Sequence, residues 1–305
     1  MKIVVTGGTG FIGHVLVAEL ARQGHDVVVL SRKSGHPAHS SARYVEWDAR
    51  SAGHWQTEVA VADAVLNLAG EPIAEGRWTD ARKRLLLDSR VLSTRLLVDA
   101  IAARPVPLPV LISASGIGYY GASDDRLLDE RSPLGEGFLA QLSAAWEAEA
   151  QRAGQFGTRV VLLRTGMVLE QDGGALPKMM LPFHFFAGGP VLPGTQWVSW
   201  IHRADLIGLI QWALTTPDLS GPVNAVAPGA VTMKRFCSTL GQVLHRPSWI
   251  PVPGLALRLA LGELGTLMTT GQRVGPSKAR AGGYTFRYPE LEPALRAIVA
   301  KEKPV

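Results

Sequence analysis

The sequence predicts an α/β protein: a doubly wound parallel sheet, with a smaller mixed α/β C-terminal domain on its substrate side. Three observations predict it. A strand, a glycine turn and a helix open the chain. Short apolar runs then alternate with helical patterns as far as residue 165, and beyond Gly166 that alternation breaks down.

Ile3-Val4-Val5 is a short β-branched run, as in a buried parallel strand. Thr6-Gly7-Gly8-Thr9-Gly10-Phe11-Ile12-Gly13 follows it directly. Phe11 to Gln23 carries apolar residues at Phe11, Ile12, Val15, Leu16 and Leu20, one face of a helix, and Gly24 stops it. In such a unit Gly7 permits the tight turn, Gly10 lets a diphosphate approach the backbone, and Gly13 lets the helix pack closely. The helix N-terminus offers free N–H groups and a positive partial charge to that diphosphate. Gly7, Thr9, Gly10, Phe11, Ile12 and Gly13 are therefore candidate dinucleotide contacts.

Asp26 to Leu30 reads as the second strand. A site for NAD usually has a carboxylate just past it, for the ribose hydroxyls. This chain has Ser31-Arg32-Lys33. A hydroxyl and two cations suit a 2′-phosphate, which Arg grips with paired hydrogen bonds; the alternative is an exposed basic loop. Tyr44 to Trp47 reads as a third strand, and Asp48 after it either reaches an adenine amino group or caps the next segment. Asp63 to Leu68 is a fourth. The small residues Ala69-Gly70 at its end either let a cofactor lie across the sheet or make a tight turn.

A helix from Trp78 to Ala103, carrying Arg90, ends at Pro105, Pro107 and Pro109. Val110 to Ser113 is a fifth strand with the loop Ser115 to Gly121 at its end. A helix at Gly137 to Ala153 leads to a sixth strand, Thr158 to Arg164. Residues 170–201 are rich in Gly, Pro and aromatics without a period, as in a lid or substrate-side insertion. Helical patterns follow near Ala204–Thr215, Met233–Leu244 and Leu255–Met268, with strands at Val223–Val226 and Trp249–Val252 between them. Gly283 to Tyr288 alternates like a strand before a last helix, Glu290 to Ala300. The expected division is a dinucleotide-binding core at 1–165, to which 200–226 returns, and a lid with a C-terminal domain at 166–305, the latter about 249–301.

The composition, 47% hydrophobic and 19% charged over 305 residues, is that of a globular chain rather than a disordered one. A net charge of +5 favours an acidic small molecule. The cations are scattered, however, and the one compact cluster, Arg82-Lys83-Arg84, reads as a solvated helix face, so no nucleic acid is expected. Cys237 is alone, between Phe236 and Leu240 in a helical pattern, which points to core packing and a reducing compartment. Glycines and Glu19 interrupt the apolar N-terminus, unlike a signal peptide. Leu255–Met268 is short for a bilayer span and is broken by Arg258 and Glu263. The expectation is a cytoplasmic protein without a membrane partner. No spacing suggests a metal site, and His184 and His202 read as packed or hydrogen-bonded histidines.

Taken together, the glycine turn, Asn67-Leu68-Ala69-Gly70, the Ser115–Gly121 loop and Trp200-Ile201-His202-Arg203-Ala204-Asp205 resemble the extended short-chain dehydrogenase/reductases. Ser31-Arg32-Lys33, Ser113 to Gly121, Leu163 to Leu169 and Gly271-Gln272-Arg273-Val274 resemble the branch called epimerase family proteins, whose members carry a small C-terminal domain of unassigned function. The resemblance spans nearly the whole chain. It implies a Rossmann-like domain that binds NADP(H). Ser31, Arg32, Lys33, Asp48, Leu68, Ala69, Gly70, Arg90, Ser113, Arg164 and Met167 join the glycine turn as candidate cofactor contacts.

The wider superfamily also uses a Ser/Thr and a Tyr-x-x-x-Lys pair, in which Lys lowers the Tyr pKa and the phenol relays a proton during hydride transfer. Counted from Pro133, the Tyr and Lys positions hold Phe138 and Leu142, which transfer no proton. Ser115 fits the Ser/Thr position. Tyr119 and Tyr120 remain either as phenolic donors, with Tyr120 preferred, or as a locally packed pair. Two functions compete: an NADP(H)-dependent oxidoreductase or epimerase acting on a small molecule, and a non-catalytic NADPH-binding redox sensor or interaction protein.

Overall fold

A computed structural model describes residues 1–32 and 42–300. Seven strands form one parallel sheet: β1 (Lys2–Thr6), β2 (Asp26–Ser31), β3 (Arg43–Glu46), β4 (Ala64–Asn67), β5 (Val110–Gly116), β6 (Arg159–Thr165) and β7 (Gly221–Ala225). Their order is β7-β6-β5-β4-β1-β2-β3, so the chain reverses direction across the sheet between β1 and β4. In register, Val4 lies between Val28 and Val65. A switch point of this kind opens a crevice at the carboxyl ends of the strands, where ligands of open α/β sheets bind.

The strands are apolar on both sides because both faces are covered. Ile3, Val5, Val29, Leu66 and Leu163 face one layer, packed by α1 (Gly13–Arg22) through Leu16 and Leu20. Val4, Val28, Val65, Leu111 and Leu162 face the other, packed by α2 (Asp80–Ala102) through Leu97 and Ile101 and by α3 (Phe138–Gln151) through Ala150. Ile3, Val4 and Val5 are fully buried, each stabilising the fold by about 1.5–3 kcal/mol as an upper bound. The Thr79 side chain accepts from the Arg82 N–H and opens α2 as an N-cap. Helix α4 (Arg203–Thr215) packs Leu206, Leu209 and Ile210 on the α1 side. Residues 200–226 thus return to the central sheet through α4 and β7.

A third core sits beside the sheet, where Met180 and Phe183 meet Trp200, Phe236, Leu240, Leu295 and Ile298. Its helices are Leu176–His184, Met233–Leu244 and Leu291–Ala300. The first falls in a stretch without sequence period, and Pro177 and Pro182 within it explain why.

Three expectations need correction. Trp249–Val252 is not a strand; Val252 makes only an isolated bridge to Val191. Gly283–Tyr288 is not a strand either. This segment is fixed by Asp205, whose carboxylate accepts the N–H groups of Arg287 and Tyr288 at 2.7 and 2.9 Å, while the Tyr284 hydroxyl donates to the Asp205 carbonyl. Alternation arose here from packing against a helix rather than from strand pairing. The Leu255–Met268 pattern is two helices, Gly254–Leu261 and Glu263–Thr269, broken at Gly262 with φ +62°. Among the described residues, no helix is long and apolar enough to cross a membrane, and no His/Cys/Asp/Glu group is arranged to hold a metal.

Candidate functional site

The glycine turn caps β1 at the switch point. Gly7 has φ +68°, and a Cβ there would lie 2.6 Å from the Leu68 carbonyl oxygen, so only glycine lets β1 and β4 end side by side. A Cβ at Gly13 would lie 2.1 Å from the Gly7 carbonyl, so this glycine seats α1 on the turn itself rather than on the strand. Gly8, a position without an assigned role in the sequence, packs against Val29. Gly10 differs from all three. Gly10 is exposed, and a Cβ there would meet only the Gly7 carbonyl oxygen, at 3.2 Å. That is the cradle a dinucleotide diphosphate needs, above the N–H groups that open α1.

The Phe11 ring is turned away from that cradle. It packs on Gly173 and Gly174 and under the Arg203 guanidinium, whose centre is 5.0 Å from the ring centroid. Arg203 also donates to the Phe11 carbonyl at 3.2 Å and to Asp172 at 2.6 Å, and pairs with Glu170 at 3.3 Å. It ties the glycine turn to the segment after β6. Its importance was hidden in sequence because the contact spans nearly the whole core.

Beneath the crevice the polar groups are saturated. Thr6 donates to Asn67 at 2.8 Å, and the Asn67 amide donates to Thr94 at 2.8 Å and to Ser113 at 3.2 Å. The Ala69 N–H donates to the Thr6 hydroxyl, and the Leu68 N–H to the Thr6 carbonyl, which presents Leu68 and Ala69 as backbone at the crevice edge. Ser113 is fully buried in this network. Its expected role as a cofactor contact is corrected to a strut under the floor.

At the rim, Ser31 ends β2 and the Arg32 side chain is 73% exposed, with its guanidinium 3.6 Å from Glu71. Lys33 lies outside the described residues. Asp48 caps the turn after β3: Oδ1 accepts the N–H groups of Arg50 and Ser51, and Oδ2 accepts the Ser51 hydroxyl. Of its two sequence readings, these bonds take the cap. Arg90 is buried, donates to the carbonyls of Leu86 and Glu71, and lies over the Trp146 ring. Gly70 stacks on its guanidinium; a Cβ there would come within 3.0 Å of Arg90 Cζ. Burial pulls the Arg90 pKa down to about 10, and its Nε has no hydrogen-bond partner among the described residues. A buried cation with an orphaned donor is costly until an acceptor arrives. These residues therefore fit an anionic dinucleotide.

The substrate end, above β5 and β6, has a different character. Ser115 donates to Glu147 at 2.7 Å, and Glu147 is held by Arg164 through two bonds of 2.8 Å. Arg164 also donates to the Tyr120 hydroxyl at 3.1 Å, and that hydroxyl donates to Asn224 at 2.7 Å. Burial opposes the Arg164 charge, but the Glu147 carboxylate outweighs it and raises the pKa. Arg164 is thus a buried structural cation, which corrects its assignment to the cofactor. Tyr120 is corrected too: it is 4% exposed, its proton is committed to Asn224, and burial pushes its pKa up to about 12. Glu147 is 4% exposed and its carboxylate is held by Arg164 and Ser115.

Tyr119 is the phenol left over. It is partly exposed, its ring stacks on Arg164 at 3.4 Å, and its hydroxyl has no hydrogen bond among the described residues. Met167 is partly exposed, and its N–H donates to the Ser199 carbonyl. At the positions of the missing relay, Phe138 packs edge-on to Trp78 and Leu142 is buried. His202 is buried, caps α4 by accepting the Ala204 N–H and stacks on Tyr288; His184 is exposed at a helix end. The buried Cys237 thiol has its pKa pushed up to about 12 by desolvation, as a packing residue should.

Comparison with known proteins agrees with this geometry. Residues 3–226 match the model of the NAD dependent epimerase/dehydratase family, and residues 252–298 match a domain of unknown function (DUF1731). The epimerase family protein YfhF of Bacillus subtilis (strain 168) is 42% identical over 306 residues, covering 100% of both chains. The human epimerase family protein SDR39U1 is 38% identical over 304 residues, covering 98% of this chain and 100% of that one. A crystal structure of human SDR39U1 (isoform 2) with NADPH superposes with a TM-score of 0.86 at 36% identity, over 98% of this chain and 99% of that chain. A UDP-glucuronic acid 4-epimerase from Bacillus cereus, solved with UDP-glucuronic acid and NAD, shares the fold, with a TM-score of 0.79 at 18% identity over 98% of both chains. Sheet order, glycine turn and full-length relatives agree: the chain belongs to the NAD dependent epimerase/dehydratase family and carries that family's Rossmann-like fold with a DUF1731 domain at its C-terminal end.

Proposed function

We propose that the protein is an NADP(H)-dependent oxidoreductase or epimerase of the extended short-chain type, acting on a small molecule at the crevice above β5 and β6. The observation that carries the cofactor assignment is the glycine turn at the switch point together with the exposed Arg32 and the buried Arg90, with no carboxylate directly after β2. The NADPH held by the human relative supports the same choice.

The cofactor would supply or accept a hydride; the chain's own residues bind, orient and move protons. The Ser115 proton is committed to the Glu147 carboxylate, so toward a ligand the Ser115 oxygen is an acceptor. It orients a substrate hydroxyl rather than polarising a carbonyl. Proton donation falls to Tyr119, whose hydroxyl has no hydrogen bond among the described residues. A second reading, a non-catalytic NADPH-binding protein, draws on the apolar pair Phe138 and Leu142 where a relay belongs.

Anaerobic absorbance spectroscopy with NADPH and NADP⁺ across a panel of hydroxyl- and carbonyl-bearing metabolites tests the two. Substrate-dependent change at the nicotinamide band supports the enzyme. Tight NADPH binding with no turnover across the panel supports the binding protein.

A further inference from the structure

Glu71 stands immediately past Gly70, at the mouth of the crevice, and it received no role in the sequence. Its backbone is firmly held: the N–H donates to Ser89 at 3.2 Å, and the carbonyl accepts from Arg90 at 2.9 Å. Its carboxylate is not. Oε1 is 3.6 Å from Arg32 and Oε2 is 3.4 Å from Arg82, both longer than the ~2.7–2.9 Å of a charge-assisted hydrogen bond. One loosely held carboxylate thus faces two guanidinium groups, with the buried Arg90 directly behind it.

Neither arginine depends on Glu71 for its position. Arg82 is anchored by a 2.6 Å bond to the Pro72 carbonyl, and Arg32 is largely solvent-exposed and free to turn. A dianionic phosphate arriving at Arg32 gains from the arginines and is repelled by the carboxylate. The neutral ribose 2′-hydroxyl of NADH meets neither effect.

We infer that Glu71 is a displaceable counter-ion: it occupies Arg32 until a 2′-phosphate takes the guanidinium over, and thereby moderates the preference for NADPH over NADH. The inference rests on the NADP(H) reading above. Its consequence is that the rim carries a carboxylate which the 2′-phosphate must displace. NADPH affinity is then set below the maximum that these arginines allow.

The test is calorimetric titration of the full-length protein, wild type and Glu71→Gln, with NADPH and with NADH, and with Glu71→Asp as a charge-preserving control. Glu71→Gln should tighten NADPH roughly two- to fivefold, the worth of one exposed ion pair, and leave NADH unchanged. Glu71→Asp should not tighten it. A wild type that fails to prefer NADPH overturns the NADP(H) reading on which the inference rests. A wild type that prefers NADPH, joined to a Glu71→Gln variant whose NADPH affinity is unchanged or weaker, or whose NADH affinity rises equally, leaves that reading intact and overturns the counter-ion role.

Discussion

The two ends of the crevice use the same residue types to opposite effect. Among the described residues above β1 and β4, Arg32, Arg82 and Arg90 face one carboxylate, that of Glu71; Arg90 keeps an Nε without a hydrogen-bond partner, and Gly10 is exposed. Above β5 and β6, Arg164 meets a carboxylate with matched geometry, and Ser115, Glu147, Tyr120 and Asn224 complete one another's hydrogen bonds. An unsaturated cluster of cations stores affinity for an anion. A saturated buried network stores structural specificity, because each member would be costly to strand. Both contain an arginine that motif matching assigns to the cofactor; only the partners distinguish a binding arginine from a structural one.

Breaking the saturated end should have the largest effect. Arg164→Ala leaves Glu147 as a buried carboxylate without its cation, and it should destabilise the fold by about 3–5 kcal/mol in urea unfolding. The equivalent change at the rim, Arg32→Ala, should leave stability within about 0.5 kcal/mol.

The tyrosine pair sharpens the contrast further. Once a substrate is in hand, Tyr119→Phe should lower kcat by roughly two to four orders of magnitude, as for loss of a general acid, with little change in stability. Tyr120→Phe should do the reverse, costing about 1–3 kcal/mol of stability because Asn224 and Arg164 lose a partner. The neutral Tyr120 phenol has a folded pKa of about 12, above the ordinary tyrosine value near 10. Its contribution is therefore complete below about pH 10 and is lost as pH rises through about 12. Alkaline unfolding should be steeper over that interval in the wild type than in Tyr120→Phe. Equal kcat loss in both tyrosine variants would erase the distinction between the two ends.

Much of the fold is written locally. Strand, turn and helix recur through β6 with boundaries within a few residues of those observed, because buried parallel strands and amphipathic helices carry short-range patterns. What escaped detection is long-range or irregular. The helix Leu176–His184 hides behind its prolines, and the Gly283–Tyr288 arm imitates a strand through contacts with Asp205. In the site, glycine-turn geometry was legible from residue type and spacing. The roles of Arg203, Glu71 and Arg164 were not, since each depends on which distant group lies opposite. Tyr119 and Tyr120 are adjacent and chemically identical in sequence; a turn of 3₁₀ helix sends one into the core and leaves the other partly exposed.

The claim that the unsaturated rim is an anion site built for a 2′-phosphated dinucleotide is tested most directly by titrating the wild type and Arg32→Ala with NADPH and NADH. NADPH should bind at least tenfold more tightly than NADH, since one charge-assisted hydrogen bond is worth about 1.5–3 kcal/mol. Arg32→Ala should remove most of that difference by weakening NADPH alone. Equal affinities for the two dinucleotides in the wild type would contradict the account.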